Sequence, residues 1–253
     1  MKKFLSYWSI YEFIWLAVFC AVAVWITVVS GDNLFGFAVF LSGIFCVVLA
    51  AKGSIINFPV GIFNTVGYSW LAWQNGLFGE VGIYLLFFLP MGVIGFFMWR
   101  KHLKSGGIVI MRKLSFKAIA LISGACLIVI AGLGFLLSLI EGQSTPYIDA
   151  ATNVLAVTAT LLMNRRYREQ WVAYIILNVL SVVMWSFRMA AGSPEGAIMV
   201  VMWSAYLVNS VYGLYNWTKG AKQAEESFVQ DGNSGQDKST IHDELLDQTE
   251  GAV

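Results

Sequence analysis

Trp203–Trp217, reading WSAYLVNSVYGLYNW, is the last long apolar run of the chain. Wound at about 100° per residue, it separates by residue type. Trp203, Tyr206, Asn209, Ser210, Gly213, Asn216 and Trp217 gather on one side. Leu207, Val211 and Leu214 lie on the other, with Val208 and Tyr212 at the flanks. The run is long enough to cross a bilayer, where an amide in hydrocarbon is costly unless it finds a partner. A face of tryptophan, tyrosine and asparagine therefore suits a bundle interior or a solvated cavity better than lipid. Serine and asparagine also act as polar glue between helices, and this segment alone leaves both readings open.

The remainder of the chain gives that helix its setting. Of 253 residues, 58% are hydrophobic and 12% charged, with a mean hydropathy of +0.71. The charges sit in short clusters between long apolar runs, the pattern of a polytopic helical membrane protein. A transmembrane β-barrel would show short alternating segments instead. Eight spans are predicted, at roughly 13–30, 35–51, 58–73, 81–99, 118–140, 148–164, 171–188 and 197–217. The fold class is thus an all-α membrane protein with eight transmembrane helices. Met1-Lys2-Lys3 precedes the first span, but no small-residue cleavage pattern comes before Ser30-Gly31-Asp32, so this span is read as retained. Cys20, Cys46 and Cys126 lie inside apolar runs without CxxC or Cys/His spacing. They are expected to be small buried hydrophobes, with no metal site and no disulfide framework.

The loops give an orientation. The N-terminus, the Lys52 loop, the loop from Arg100 to Lys117, the Arg165–Arg168 loop and the C-terminus hold every lysine and arginine except Arg188. The alternate loops, around Asp32, Glu80, Glu141 and Glu195, are otherwise free of basic residues. By the positive-inside rule both termini are expected in the cytoplasm. The loop RKHLKSGGIVIMRKLSFK is basic with an apolar centre and is expected on the anionic inner leaflet. His102 and His242 are read as solvated residues without chemistry.

Spans two to four and six to eight resemble each other. Lys52, Asn64, Glu80 and Gly95-Phe-Phe-Met-Trp99 in the first triplet have counterparts in Arg165, Asn178, Glu195 and Gly213-Leu-Tyr-Asn-Trp217. A single intervening span makes the triplets parallel repeats, an arrangement known in transporters with the substrate at the repeat interface. The expected domains are an N-terminal helix (1–34), a first three-helix repeat (35–104), a linker loop and linker helix (105–143) and a second repeat (144–219). Residues 220–253 form an acidic cytoplasmic tail, expected to be disordered.

Several polar and aromatic residues fall where a solute could meet them. Trp171, Asn178 and Trp185 recur every seven residues along the seventh span; Trp171 is also read as an aromatic-belt residue near the membrane boundary. The third span carries Asn64, Tyr68 and Asn75 along one edge, with Gln74 beside them. Asp149, Asn153 and Thr160 form a stripe on the sixth span, where a helix-terminus role for Asp149 is as well supported as a substrate contact. No span carries a charged residue near its centre, unlike the usual ion-coupled carrier. There is no P-loop, HExxH or GxSxG motif. An enzyme, a metal, a cofactor and a nucleic-acid partner are therefore not expected. Aromatic faces with neutral amides suit a flat, hydrogen-bonding solute, and a cationic one gains further from cation–π contact.

These residues resemble those of the PnuC family of bacterial nicotinamide riboside transporters. The stretches that carry the resemblance are VVLAAKGSIINFPVGIFNTVGY, LPMGVIGFFMWRKH, PYIDAATNVLAVTATLLMNRRYREQW, ILNVLSVVMW and WSAYLVNSVYGLYNW. The resemblance implies a three-plus-one-plus-three core like that of SWEET sugar transporters, preceded by one extra span. It implies a homotrimer in membrane lipid, and facilitated diffusion of nicotinamide riboside followed by trapping through cytosolic phosphorylation. It places the family's central positions on Trp185, Trp203 and Asn209, with Asn178 and Gln74 nearby; Asn64, Tyr68, Tyr206, Asn75 and Asp149 complete the expected substrate-binding set. Similar carriers take thiamine or (deoxy)nucleosides, so these solutes remain alternatives. A ligand-sensing membrane receptor is the rival from another class, with an integral-membrane enzyme behind it.

Overall fold

The computed structural model describes residues 9–30, 34–74, 76, 78–104, 107–141, 145–193 and 196–233. Among them are eight helices and no strand. These are α1 (Ile10–Ser30), α2 (Leu34–Lys52), α3 (Asn57–Gln74), α4, α5 (Phe116–Ser138), α6 (Pro146–Asn164), α7 (Gln170–Ala190) and α8 (Gly196–Asn233). Helix α4 runs through Phe78–Ile83, a π-helical turn Tyr84–Phe88, and Leu89–Arg100. Leu34–Lys52, Glu80–Arg100, Phe116–Ser138 and Gln170–Ala190 are long and apolar enough to cross a membrane. Helices α3 and α6 are of similar length but less apolar, because they carry Asn64, Tyr68 and Gln74, and Asp149, Thr152 and Asn153. The protein is an all-helical, multi-pass membrane protein. It divides into two compact units, Met1–Val109 and Ile110–Val253.

In the first unit α1 starts on a capping box. Glu12 N donates to Ser9 Oγ at 3.2 Å and Ser9 N donates to Glu12 Oε2 at 2.8 Å, which satisfies two donors that a helix start leaves open. The same carboxylate oxygen takes Lys52 Nζ at 2.9 Å. Helices α2 and α3 pack through small residues. A Cβ on Gly61 would come 2.9 Å from Cys46 Sγ, and one on Gly43 would come 3.1 Å from Asn64 Nδ2. Small side chains allow such close backbones, the usual device where the hydrophobic effect does not drive association. All three cysteines are free thiols. In α4 Leu89 N–H reaches back to Tyr84 O, one residue further than an α-turn. Pro90 follows directly; its ring would crowd the carbonyl of residue 86 in a regular helix, and the wider turn relieves that clash.

In the second unit α5 is largely apolar and exposed, with Leu121, Leu127 and Ile128 outward, as hydrocarbon contact requires. Leu114, Leu162 and Tyr167 form a buried cluster, with Ala118, Ile119 and Ile122 against it. Helix α8 continues to Asn233, so the expected break into a disordered tail at residue 220 is not there. Ala221 and Ala224 are buried on that extension, and a Cβ on Gly220 would run into Met111 Sδ. The turns are held by this small apolar seam, which composition alone concealed. Residues 234–253 lie outside the described residues.

The two units build the same turn twice. After α2, Gly53 N donates to Ala50 O and Ser54 N to Leu49 O, each at 2.9 Å. After α6, Arg166 N donates to Met163 O and Tyr167 N to Leu162 O, again each at 2.9 Å. Both are Schellman stops, with the left-handed residue at Gly53 (φ 77°) and Arg166 (φ 67°). Each turn also binds part of the long basic loop. Val109 N donates to Gly53 O at 2.9 Å in the first unit; in the second, Arg112 N donates to Arg166 O at 2.8 Å and Arg168 N to Arg112 O at 2.9 Å. The apolar centre of that loop, Val109 and Met111, is buried in protein and not laid on a leaflet as expected. Its backbone finds partners at the turns, which lipid headgroups cannot match in geometry.

Candidate functional site

The packing of α8 on α7 forms a polar and aromatic seam. On α8 Asn209, Ser210, Gly213 and Trp217 are buried, whereas Val208, Val211 and Tyr215 are exposed. The amphipathic reading of Trp203–Trp217 therefore points inward. Asn178, buried on α7, donates Nδ2–H to Ser210 Oγ at 2.9 Å, and Ser210 Oγ donates to Tyr206 O at 2.9 Å. For Asn178 the polar-glue alternative describes what the side chain does. Trp171 is 3% exposed and meets Trp217 edge-on at 6.3 Å, so it is a seam residue and not a boundary belt. Its indole carbons lie 2.6 Å from where a Cβ on Gly213 would stand. Gly213→Ala should accordingly destabilise the protein by roughly 1–3 kcal/mol, an overpacking cost, read as a lower melting temperature in detergent. An unchanged melt would mean that Trp171 can move.

Closer to the start of α8, Trp203 is half-buried and its ring meets Tyr206 edge-on at 5.8 Å. Its indole Nε1 is buried without a hydrogen-bond partner among the described residues. Asn209, two turns further along α8, is 2% exposed. Trp203 thus keeps an indole donor with spare capacity beside the Tyr206 ring.

A second cluster joins α7 to α6. Trp185 is half-buried, and Arg188 Cζ lies 4.8 Å from its ring centroid. Arg188 Nη2 is also 3.8 Å from Asp149 Oδ1. Asp149 sits in the first turn of α6, where its charge suits the helix dipole, and Thr145 Oγ1 donates to its Oδ2 at 3.4 Å. The helix-terminus reading of Asp149 thus has a physical basis, and its ion pair with Arg188 adds a second role. The sequence reading left Arg188 out of the site. The available signal was that it alone among the basic residues falls outside the basic loops. On the same helix as Asp149, Asn153 donates to Asp149 O at 2.8 Å and buried Thr160 to Ala156 O at 2.8 Å, so the polar stripe is partly occupied with its own backbone.

The first unit holds the remaining candidates. Asn64 Nδ2 donates to Val39 O at 2.8 Å and to Ser42 Oγ at 3.3 Å. It ties α3 to α2, unlike its repeat counterpart Asn178, which bonds to the final helix of its triplet. Tyr68 OH donates to the Glu80 carboxylate, and its ring lies 4.6 Å from that of Tyr84. Gln74 is exposed at the last residue of α3. Asn75 and Glu195 lie outside the described residues.

Gln170, at the start of α7, was not singled out by its pattern. It is fully buried, and neither polar atom of its amide meets a partner among the described residues. Its place in the repeated turn is taken in the first unit by Asn57, also buried, whose Nδ2 donates to Ser54 O at 2.6 Å. An unmatched buried polar group costs about 1–3 kcal/mol. Gln170→Met, similar in length but apolar, should raise the melting temperature. A fall would show that the amide is satisfied in solution.

Among the described residues no group of three or more His, Cys, Asp or Glu is placed to hold a metal ion. The nicotinamide mononucleotide transporter family model matches residues 33–219. The nicotinamide riboside transporter PnuC of Haemophilus influenzae is 36% identical over 228 residues, covering 88% of this chain and 96% of that protein. PnuC of Neisseria mucosa is 32% identical over 221 residues, covering 85% of this chain and 84% of that protein. A crystal structure of the vitamin B3 transporter PnuC matches with a TM-score of 0.70 at 30% identity, over 86% of this chain and 94% of the other. On these matches, the chain belongs to the nicotinamide mononucleotide transporter family, a family of membrane transporters and not of enzymes.

Proposed function

We propose that this protein carries nicotinamide riboside, a vitamin B3 precursor of NAD, across the bacterial inner membrane by facilitated diffusion, with phosphorylation in the cytosol trapping it. The observation that carries the reading is the inward aromatic-and-amide face of α8, with Trp203, Tyr206 and Asn209. Such a face can hold a flat cationic ring, a carboxamide and ribose hydroxyls without a fixed anion. Trp185, Asn178, Asn64, Tyr68, Gln74, Asn75 and Asp149 are the other residues proposed for the substrate path. Relatives named as riboside transporters at 36% and 32% identity support the substrate. The repeated Schellman turns support a three-plus-one-plus-three core of SWEET type behind the extra helix α1. The alternation of basic loops supports cytoplasmic termini. A homotrimer is the assembly in this reading.

Uptake into liposomes holding only this protein tests it. Labelled nicotinamide riboside should equilibrate without accumulating, whatever the pH or sodium gradient, since no ionisable residue is placed mid-span to couple an ion. Adding a riboside kinase and ATP inside should produce accumulation. Concentration above the outside level without the kinase would sink the uncoupled mechanism, and preference for thiamine or a deoxynucleoside would replace the substrate.

A further inference from the structure

The aromatic face of Trp185 is already occupied. Arg188, one turn further along α7, holds its guanidinium carbon 4.8 Å from the ring centroid. That is within the reach of a cation–π contact, the attraction proposed for the substrate's pyridinium ring. Two cations cannot hold one ring face together. The guanidinium also has a second place to go. Its Nη2 stands 3.8 Å from Asp149 Oδ1, beyond the about 2.7–2.9 Å of a charge-assisted hydrogen bond, so the ion pair is present but not closed. Arg188 is 35% exposed and Asp149 18%, which leaves the arginine room to swing from the ring towards the carboxylate.

We propose that Arg188 is a resident cation that covers Trp185 in the absence of substrate, leaves the ring for Asp149 when a riboside arrives, and so determines the apparent affinity of the site. The proposal rests on Trp185 being a substrate contact. When a competent state is populated only part of the time, the apparent dissociation constant rises by the inverse of that fraction. Occlusion of this kind acts on any ring that needs the face, charged or not. A simple electrostatic field from Arg188 would act on charged ligands alone. Asp149 has a double part: it receives the displaced guanidinium and attracts a cationic ligand directly. An uncharged ligand senses only the first part.

Binding of two probes to the full-length protein in detergent, by calorimetry, tests this. One probe is nicotinamide riboside, and the other is its reduced, uncharged dihydropyridine form. Arg188→Gln should tighten both by about three- to tenfold, the range expected if Trp185 is uncovered a third to a tenth of the time. Asp149→Asn should weaken the uncharged probe more in the protein that keeps Arg188 than in the Arg188→Gln background; equal weakening in both would overturn the proposal. Arg188→Lys retains a cation without the planar stacking surface and should fall between the wild type and Arg188→Gln, which preserves the test if the glutamine variant is unstable. Tightening of the charged probe alone would reduce Arg188 to a field effect and overturn the proposal. Weakening of both probes, with a lower melting temperature, would make Arg188 a packing residue and overturn it too. Trp185→Leu distinguishes the two levels. If it leaves both affinities unchanged, the substrate reading of Trp185 has failed; if it weakens binding while Arg188→Gln changes nothing, the occlusion alone has failed.

Discussion

Replacing Lys52 with methionine should cost about 3–5 kcal/mol of stability, the range for removing one partner of a buried ion pair. Glu12 and Lys52 are 4% and 11% exposed at their side chains, with Nζ and Oε2 2.9 Å apart. The carboxylate also closes the capping box of α1. In Lys52→Met it would stay buried without its counter-ion, so α1 should loosen from the C-terminal end of α2. Glu12→Gln with Lys52→Met should recover much of the loss, since neither charge is then stranded. The pair Lys222–Glu226 provides a control. It has the same chemistry, but its side chains are 76% and 60% exposed at 3.8 Å, and such surface pairs contribute little. Lys222→Met should melt close to the wild type. Melting curves of the four proteins in one detergent decide the matter. If Lys52→Met melts where the wild type does, Glu12 is hydrated in solution and the pair does not anchor α1.

Trp203 should show the largest effect on transport. Its indole donor is buried without a partner among the described residues, and its ring is half-buried against Tyr206. Trp203→Phe keeps an aromatic face and deletes the donor. At about 1 kcal/mol net for a hydrogen bond, uptake should require roughly fivefold more nicotinamide riboside. Trp203→Leu also loses the ring, a further roughly 0.5–2 kcal/mol of cation–π attraction, so the combined loss should reach roughly tenfold to a hundredfold. The uncharged reduced riboside should suffer from loss of the donor but less from loss of the ring. Initial rates in liposomes across a range of both solutes measure these values. Wild-type kinetics for Trp203→Leu would show that the tryptophan packs α8 and touches no solute.

The helices were legible because hydrophobic runs bounded by charge report span boundaries directly. The predicted span at 171–188 became Gln170–Ala190, and that at 35–51 became Leu34–Lys52. The inward side of α8 was legible for a related reason: Asn209 and Ser210 fall on one side of a 3.6-residue helix and Val208 and Val211 elsewhere. Partners were harder to read. Spacing shows which residues share a face, but not whether the opposite helix presents a serine. The position of Asn178 on one face with Trp171 and Trp185 is legible, but its bond to Ser210 on the next helix is not. Arg188 was missed because its partners lie on two elements, Asp149 far off in sequence and Trp185 three residues back. The extension of α8 past residue 219 was hidden by local composition. Alanines at 221 and 224 contribute little to mean hydropathy, yet they fit flush against protein.

The π-helical turn Tyr84–Phe88 affects how this chain aligns with others. A turn closed by Leu89 N–H on Tyr84 O holds one residue more than an α-helix needs, so it acts as a one-residue insertion retained inside a helix. Deleting one residue from Leu85 to Phe88 would restore the regular ladder while the helix on either side kept its facing, whereas a deletion elsewhere in α4 would rotate one side against the other by about 100°. Glu80 would then stay beside Tyr68, and the loss of one residue would be confined to the turn itself. An alignment that places its gap a few positions off would therefore match only the residues in between to positions about 100° away around α4.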